Sequence, residues 1–329
     1  MNQLLLSFII VCSFTFSAFS QDTVSYQNGL PPLIIPKEPE TRLSDDPELL
    51  GISKTVRSKV AALKNPPTNI ALFAVDRRSS DQQGNSDVIM IISIDQVTKK
   101  IKMSSIMRDT YVNIEGKGMD KINSAFAIGG PQLAIKTLNQ NFALDIKDYI
   151  NVDFFGTAKM INALGGVEID VKDEEIPYLN NYLKEISILD HVPPVNIKKA
   201  GKQRLNGKQA VAYTRIRAVG RGDYERTERQ RNVLVALFQT MQGAGASILP
   251  VFMTQVLPYL QTSMSSSALF RIGGELLSSR SRSIEQARFP LDSSSKGVRI
   301  NDIWYLQADL NKTTEALYNF IYKDIKPVN

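Results

Sequence analysis

TNIALFAVD, residues 68–76, is apolar at almost every position and ends in an acid. DVIMIISID, residues 87–95, has the same pattern. A strand that is apolar on both faces belongs in a sheet covered by helices on both sides. The turn QVTKK then leads into KIKMSSIMRD (100–109), which alternates apolar and polar residues. So close a spacing makes the second and third strands an antiparallel hairpin. With the helical segments downstream, these runs predict an α/β fold: an α/β/α sandwich on a mixed, partly antiparallel central sheet.

GGPQLAIKTLNQNF puts Pro131 near a first helical turn, where proline is tolerated. DFFGTAKMINALGG opens at Asp153, a good N-cap, and closes at Gly165-Gly166. VEIDV (167–171) reads as a strand. Residues 172–200 have no clean period and contain Pro177, Pro193 and Pro194, which suggests a long excursion acting as a lid. LNGKQAVAY reads as a helix, as do stretches near 224–242 and 265–280. RSIEQARFP reads as a strand and NKTTEALYNFIY as the last helix. The expected organisation is a leader (1–20), a linker with one short helix near 48–63 (21–67), and a catalytic domain (68–329).

The leader is apolar from Leu4 to Phe19 and ends in the small-x-small triplet Ala18-Phe19-Ser20. It reads as a secretory signal or a retained N-terminal anchor, which places the rest outside the cytoplasm, at the outer face of the membrane. The single cysteine, Cys12, lies inside it. Once the leader is removed, disulfides, thiol catalysis and cysteine metal sites are excluded. The single histidine, His191, sits in LDHVPPV and reads as a surface residue, which argues against a Ser-His-Asp triad and a histidine zinc site. A net charge of +6 points to an anionic partner: nucleic acid, a membrane surface or a phosphorylated substrate. The secretory leader and the absence of a helix-turn-helix pattern argue against nucleic acid.

YTRIRAVGRGDYERTERQR (213–231) holds six arginines and no lysine. The helix after Asp223 has an apolar stripe of Val233, Leu234, Leu237, Phe238 and Met241. Extended backwards, that stripe reaches Arg226 and Gln230, with Arg229 beside them. Cations at a helix N-terminus oppose the dipole unless an anion sits there too. In TRIR, Arg215 and Arg217 flank Ile216 as in a strand and so project to one face. Ion pairing with Asp223, Glu225 and Glu228 is the plainer alternative.

Asp76 closes the first strand and Asp87 opens the second, at a strand edge where ligands bind in such sheets. Two carboxylates there suit Mg²⁺, which takes one or two carboxylates plus phosphate oxygens. Arg108-Asp109 ends the third strand at the same edge, and Lys121 follows in GMDKINSAFAIGGP. The set fits metal-assisted chemistry at a pyrophosphate, with Asp87 or Asp109 activating a hydroxyl. A secreted protein meets no ATP, so the phosphate comes from a lipid or an exported sugar.

Over residues 66–325 the chain resembles the LytR-CpsA-Psr family. The resemblance rests on AVDRR (74–78), SDVIMIISID (86–95), MRDTYV (107–112), DKINSAFAIGGP (120–131), ALGGVEIDV (163–171), LNGKQAVAYTRIR (205–217) and GDYERTERQR (222–231). It implies a phosphotransferase that moves a glycan phosphate from a polyprenyl-pyrophosphate carrier to a peptidoglycan sugar hydroxyl, with Mg²⁺. A pyrophosphatase, or a lipid- or glycan-binding protein with a degenerate site, would use the same residues. By motif, Asp76 and Asp87 match metal-linked acids. Arg78, Arg108, Arg215, Arg217, Arg226 and Arg229 match pyrophosphate-binding arginines, and Asp109 and Gln230 lie in matching motifs. The resemblance also implies a polyprenyl tunnel, with helix faces near 126–142 and 233–241 as candidate walls. Ala74, Asn85 and Met107 stand where the family usually has glycine, arginine and proline.

Overall fold

The structure is a computed structural model that describes residues 43–75, 84–189, 192–220, 222–278 and 284–327. The leader, Asp76, Arg77, Arg78, His191 and Arg221 lie outside the described residues. Six strands form the main sheet: β1 (Thr68–Val75), β2 (Ser86–Ile94), β3 (Ile101–Ile106), β6 (Asp148–Asp153), β9 (Gln261–Thr262) and β10 (Ile284–Phe289). Their order is β10-β3-β2-β1-β6-β9. β1–β2, β2–β3 and β6–β9 are antiparallel, while β1–β6 and β10–β3 are parallel. The mixed sheet and its β2–β3 hairpin are as the apolar runs predict.

Alternation sorts each strand between two cores. Ala71, Phe73 and Val75 of β1, with Ile89 and Ile91 of β2, face α1 (Lys54–Ala61), α2 (Ser124–Phe142) and α8 (Leu310–Lys323). Ile70 and Ile94 face the opposite way, towards α7 (Ser266–Ser278). Val88, Met90 and Met103 pack on Leu234 and Val235 of α6 (Asp223–Ala244). Both faces are therefore covered, which is why these strands read as continuous apolar runs.

A second core joins α3 (Phe154–Ala163), β7 (Val167–Val171), α4 (Ile176–Leu189), β8 (Gly201–Leu205) and α5 (Gly207–Thr214) to the other face of α6. Asp153 caps α3, its carboxylate accepting from Gly156 N at 2.6 Å. Asn206 and Gln209 cap α5 reciprocally.

Some expectations change. Leu43, Leu50, Ile52 and Val56 are buried in the first core, so the short helix expected near 48–63 is built into the fold and is not part of a free linker. α2 is two helical segments joined at non-helical Gly129 and Gly130: Pro131 stands in the first turn of the second, as expected, and the segment from Ser124 that precedes it was not. Gly130 has φ 63° and ψ −159°, a conformation only glycine adopts readily. The stretch expected as a lid contains α4, whose Leu179 and Leu183 are buried in the second core. β7, read as a strand, pairs antiparallel with β8 across α4; β8 itself and two hairpins, β4 (Tyr111–Ile114) with β5 (Gly118–Lys121) and β11 (Ser295–Ile300) with β12 (Ile303–Ala308), were not expected.

Candidate active site

β1 and β3 end at the edge where β2 begins. Carboxyl ends of strands meet there, the usual ligand edge of an open α/β sheet. At this edge the β1–β2 register slips: Ala74 pairs with Val88 but Val75 pairs with Ser86. Asp87 is the extra residue of that bulge. A bulge re-aims a side chain, and Asp87 is aimed at two arginines. Its Oδ1 accepts from Arg108 Nη1 at 2.6 Å and its Oδ2 from Arg226 Nη2 at 2.7 Å.

Arg108 comes from the residues following β3 and Arg226 from the first turn of α6. Asp223 ties them together, with Oδ2 3.3 Å from Arg108 Nε and Oδ1 accepting from Arg226 Nη1 at 3.3 Å. Asp109 lies 3.4 Å from Arg108 Nε and pairs with Lys121 Nζ at 2.7 Å. The Lys121 ammonium sits over the Tyr305 ring, 5.6 Å from its centroid. Arg217 stands at the rim, half exposed, with Nε 3.9 Å from Asp223.

Among the described residues, four cations (Arg108, Arg217, Arg226, Lys121) thus meet three acids (Asp87, Asp109, Asp223), leaving one net positive charge. Burial alone would raise the Asp87 pKa, but Arg226 and Arg108 outweigh it and hold the carboxyl below its ordinary value. Burial lowers the Arg217 pKa, and the neighbouring Arg226 and Arg108 lower it further. The field at the rim therefore favours an incoming anion. Donors for one reach the rim: Arg217 is half exposed and the Lys121 ammonium is partly open, whereas Arg108 Nε is buried between Asp223 and Asp109. The arrangement can bind a multiply charged anion and neutralise charge that develops on it.

Other predicted residues go elsewhere. Arg226, Arg229 and Gln230 are buried, as the extended stripe predicts. Arg229 nonetheless turns away from the cluster. Its Nε donates to Glu175 Oε1 at 2.7 Å, and its Nη atoms donate to the carbonyls of Ile216 and Val219. TRIR is not a strand, because α5 ends at Thr214 with Arg215 as its C-cap. Arg215 lies against α4, stacked on Tyr182 and 3.7 Å from Glu185, so it does not share a face with Arg217. Asp76 and Arg78 lie outside the described residues.

Sequence reasoning treated Asp223 only as a local ion-pair partner and missed Tyr305 and Glu175. An acid in the first turn was the one signal for Asp223. Nothing local pointed to Glu175, which lies 54 residues from Arg229.

Comparison with known proteins decides the relationship. Residues 42–320 match the model of the LytR_cpsA_psr family. The chain belongs to that family. It is 34% identical over 260 residues to regulatory protein MsrR of Staphylococcus aureus (strain COL), covering 78% of this chain and 75% of MsrR. It is 32% identical over 280 residues to polyisoprenyl-teichoic acid–peptidoglycan teichoic acid transferase TagU of Oceanobacillus iheyensis, covering 81% and 77%. The fold is shared with TagT solved with bound octaprenyl pyrophosphate lipid, at a TM-score of 0.60 and 23% identity, over 89% of this chain and 99% of that one.

In this LytR_cpsA_psr protein the two helix faces expected to wall one tunnel lie on opposite sides of the sheet. Phe126, Ala134, Ile135, Leu138 and Phe142 pack in the first core, while Leu234 and Val235 cover Val88, Met90 and Met103. Residues 126–142 and 233–241 therefore cannot enclose one lipid chain together. Among the described residues no group of three or more His, Cys, Asp or Glu could hold a metal. Asp87 still fits a hard cation in part: it is held ionised, and each oxygen that accepts one guanidinium N–H keeps a second lone pair. No helix of the described residues is long and apolar enough to cross a membrane.

Proposed function

We propose that this protein is a cell-envelope transferase. It moves a glycan phosphate from a polyprenyl-pyrophosphate carrier to a sugar hydroxyl of peptidoglycan, outside the cytoplasm and at the membrane surface. The observation that carries the reading is the meeting of Arg108 and Arg226 on bulged Asp87, with Arg217 and Lys121 at the open rim and one net positive charge among the described residues. TagU is named for teichoic acid transfer to peptidoglycan, and TagT was solved with a polyprenyl pyrophosphate, which supports this substrate class.

The acceptor oxygen attacks the phosphorus that bears the glycan. The bond from that phosphorus to the bridging oxygen breaks, and polyprenyl monophosphate leaves. Arg108 and Arg226 donate to the phosphate oxygens and stabilise the charge that grows on the bridging oxygen. Arg217, at the rim, draws the anion in. Asp87 holds both guanidinium groups in place; with both oxygens engaged and its pKa lowered, it is a poor base. Asp109 takes the hydroxyl proton, oriented by Lys121 at 2.7 Å. Mg²⁺, held by Asp87 with Asp76 and phosphate oxygens, would add charge neutralisation. Because the arginines already offset the described acids, the ion would enter with the pyrophosphate.

For the lipid, the α6–α7 side of the sheet remains. Its apolar cleft, lined by residues that include Met241, Phe252, Met253 and Leu269, is about 20 Å³, so α6 and α7 must part to admit an isoprenoid chain. The test is release of polyprenyl monophosphate from a short polyprenyl pyrophosphate with Mg²⁺. Metal-dependent release, reduced by Asp109→Asn at least ~100-fold, about the loss seen when a transition-state contact is removed, supports the reading. Tight binding without release would replace it with a lipid-binding role.

A further inference from the structure

Trp304 is the only tryptophan of the chain and is 38% exposed. It lies on β12, whose next residues build the site. Leu306 N donates to Asp109 O at 2.9 Å, and the Tyr305 ring covers Lys121 and packs against Tyr111 at 4.7 Å. Strand alternation puts Tyr305 on the site side of the hairpin and Trp304 on its outer face.

The indole is laid flat by design of the opposite strand. A Cβ placed on Gly297 would meet Trp304 Nε1 at 2.8 Å and Cε2 at 3.2 Å. Gly297 has ordinary backbone geometry, so its role here is to leave room for the ring. Arg299 is the cross-strand partner of Trp304, shares its face and is exposed. The result is a rigid aromatic plane with a guanidinium beside it. It stands two residues from the Asp109 contact, about 7 Å along the strand.

We propose that Trp304, supported by Gly297 and flanked by Arg299, is a stacking platform for a sugar ring of the phosphate-bearing donor glycan. This rests on the transferase reading above. The C–H face of a sugar ring is apolar and matches a flat indole, and Arg299 answers a phosphate along the chain. The platform stands on the same hairpin as the Tyr305–Lys121 contact, and the Arg299 guanidinium on its face complements the phosphates of such a chain. A membrane is the poorer occupant. The hairpin tip is Asn301-Asp302, polar and acidic, and the indole lies across Gly297 of the neighbouring strand instead of projecting.

Because Trp304 is unique, its fluorescence reports the platform alone. The full chain is titrated with lipid-free teichoic acid oligomers, with chitotriose as a neutral sugar, inorganic phosphate as a bare anion, and phosphatidylglycerol vesicles. Saturable quenching by the oligomers, at least ~10-fold weaker with chitotriose and absent with phosphate, supports the proposal. Gly297→Ala keeps the fluorophore but lifts the ring, and raises the oligomer Kd about 10-fold at unchanged circular dichroism. By calorimetry, Trp304→Ala weakens binding by the same factor and Trp304→Phe restores most of it. No response to oligomers, equal response to chitotriose, or a blue shift with vesicles alone overturns it. Oligomer binding needs neither pyrophosphate nor metal, so failure of the transferase reading would leave this titration informative.

Discussion

Arg226 and Arg229 lie one turn apart on α6 and are both almost fully buried, at 2% and 3% exposure, yet they sit in opposite kinds of surroundings. Arg229 meets one carboxylate, Glu175, itself buried, and two backbone carbonyls; its environment is closed. Arg226 shares Asp87 and Asp223 with Arg108 in a cluster that, among the described residues, carries more cations than acids and opens to the rim at Arg217. Depth of burial does not separate a structural arginine from a functional one. The balance of charge and of hydrogen bonds around it does.

The largest effect should come from the closed pair. Arg229→Ala leaves the Glu175 carboxylate buried without a counter-charge, held by the Lys172 N–H, which costs about 3–5 kcal/mol. Urea denaturation reads this as a lower midpoint at constant m-value. Replacing both partners, Arg229→Met with Glu175→Leu, should recover most of it, because a packed apolar pair avoids the desolvation of two charges. If the double variant is no more stable than Arg229→Ala, the pair is not closed in the way its geometry indicates.

Arg226→Ala should invert the pattern. Asp87 keeps Arg108, so stability falls by about 1–3 kcal/mol, while polyprenyl monophosphate release falls at least ~100-fold. Equal losses of stability and activity in the two arginine variants would erase the distinction.

A smaller, pH-dependent effect follows from Asp87. Its folded pKa is lowered, so its contribution is present above the unfolded value of about 3.9 and is lost as pH falls through the folded value. Asp87→Asn should flatten the acid limb of stability against pH and leave the slope near neutrality unchanged.

The smallest effect is expected at Arg215, whose partner Glu185 is half exposed and 3.7 Å away. Arg215→Ala should change stability by no more than about 1 kcal/mol in thermal melts.

The sheet was legible because burial on both faces leaves an unbroken apolar signature in β1 and β2. Arg108, Asp87 and Arg226 were legible as strand-end and helix-start positions. The bulge that aims Asp87 was not, because a one-residue slip in register leaves no mark in composition. α4 was hidden by Pro177 in its first turn and by the prolines that follow it. TRIR misled because Ile216 is buried by its position after the end of α5, not by strand alternation. The role of Arg229 depends on Glu175, and no local pattern links residues so far apart.

The most direct test is calorimetric titration of the protein, Arg226→Ala and Arg215→Ala with farnesyl pyrophosphate. If the cluster at the β2–β3 edge is the pyrophosphate site, Arg226→Ala loses binding by at least ~10-fold, equivalent to about 1.4 kcal/mol. Arg215→Ala should then bind as the unaltered chain does. Unchanged binding by Arg226→Ala, or loss in Arg215→Ala instead, would contradict the account.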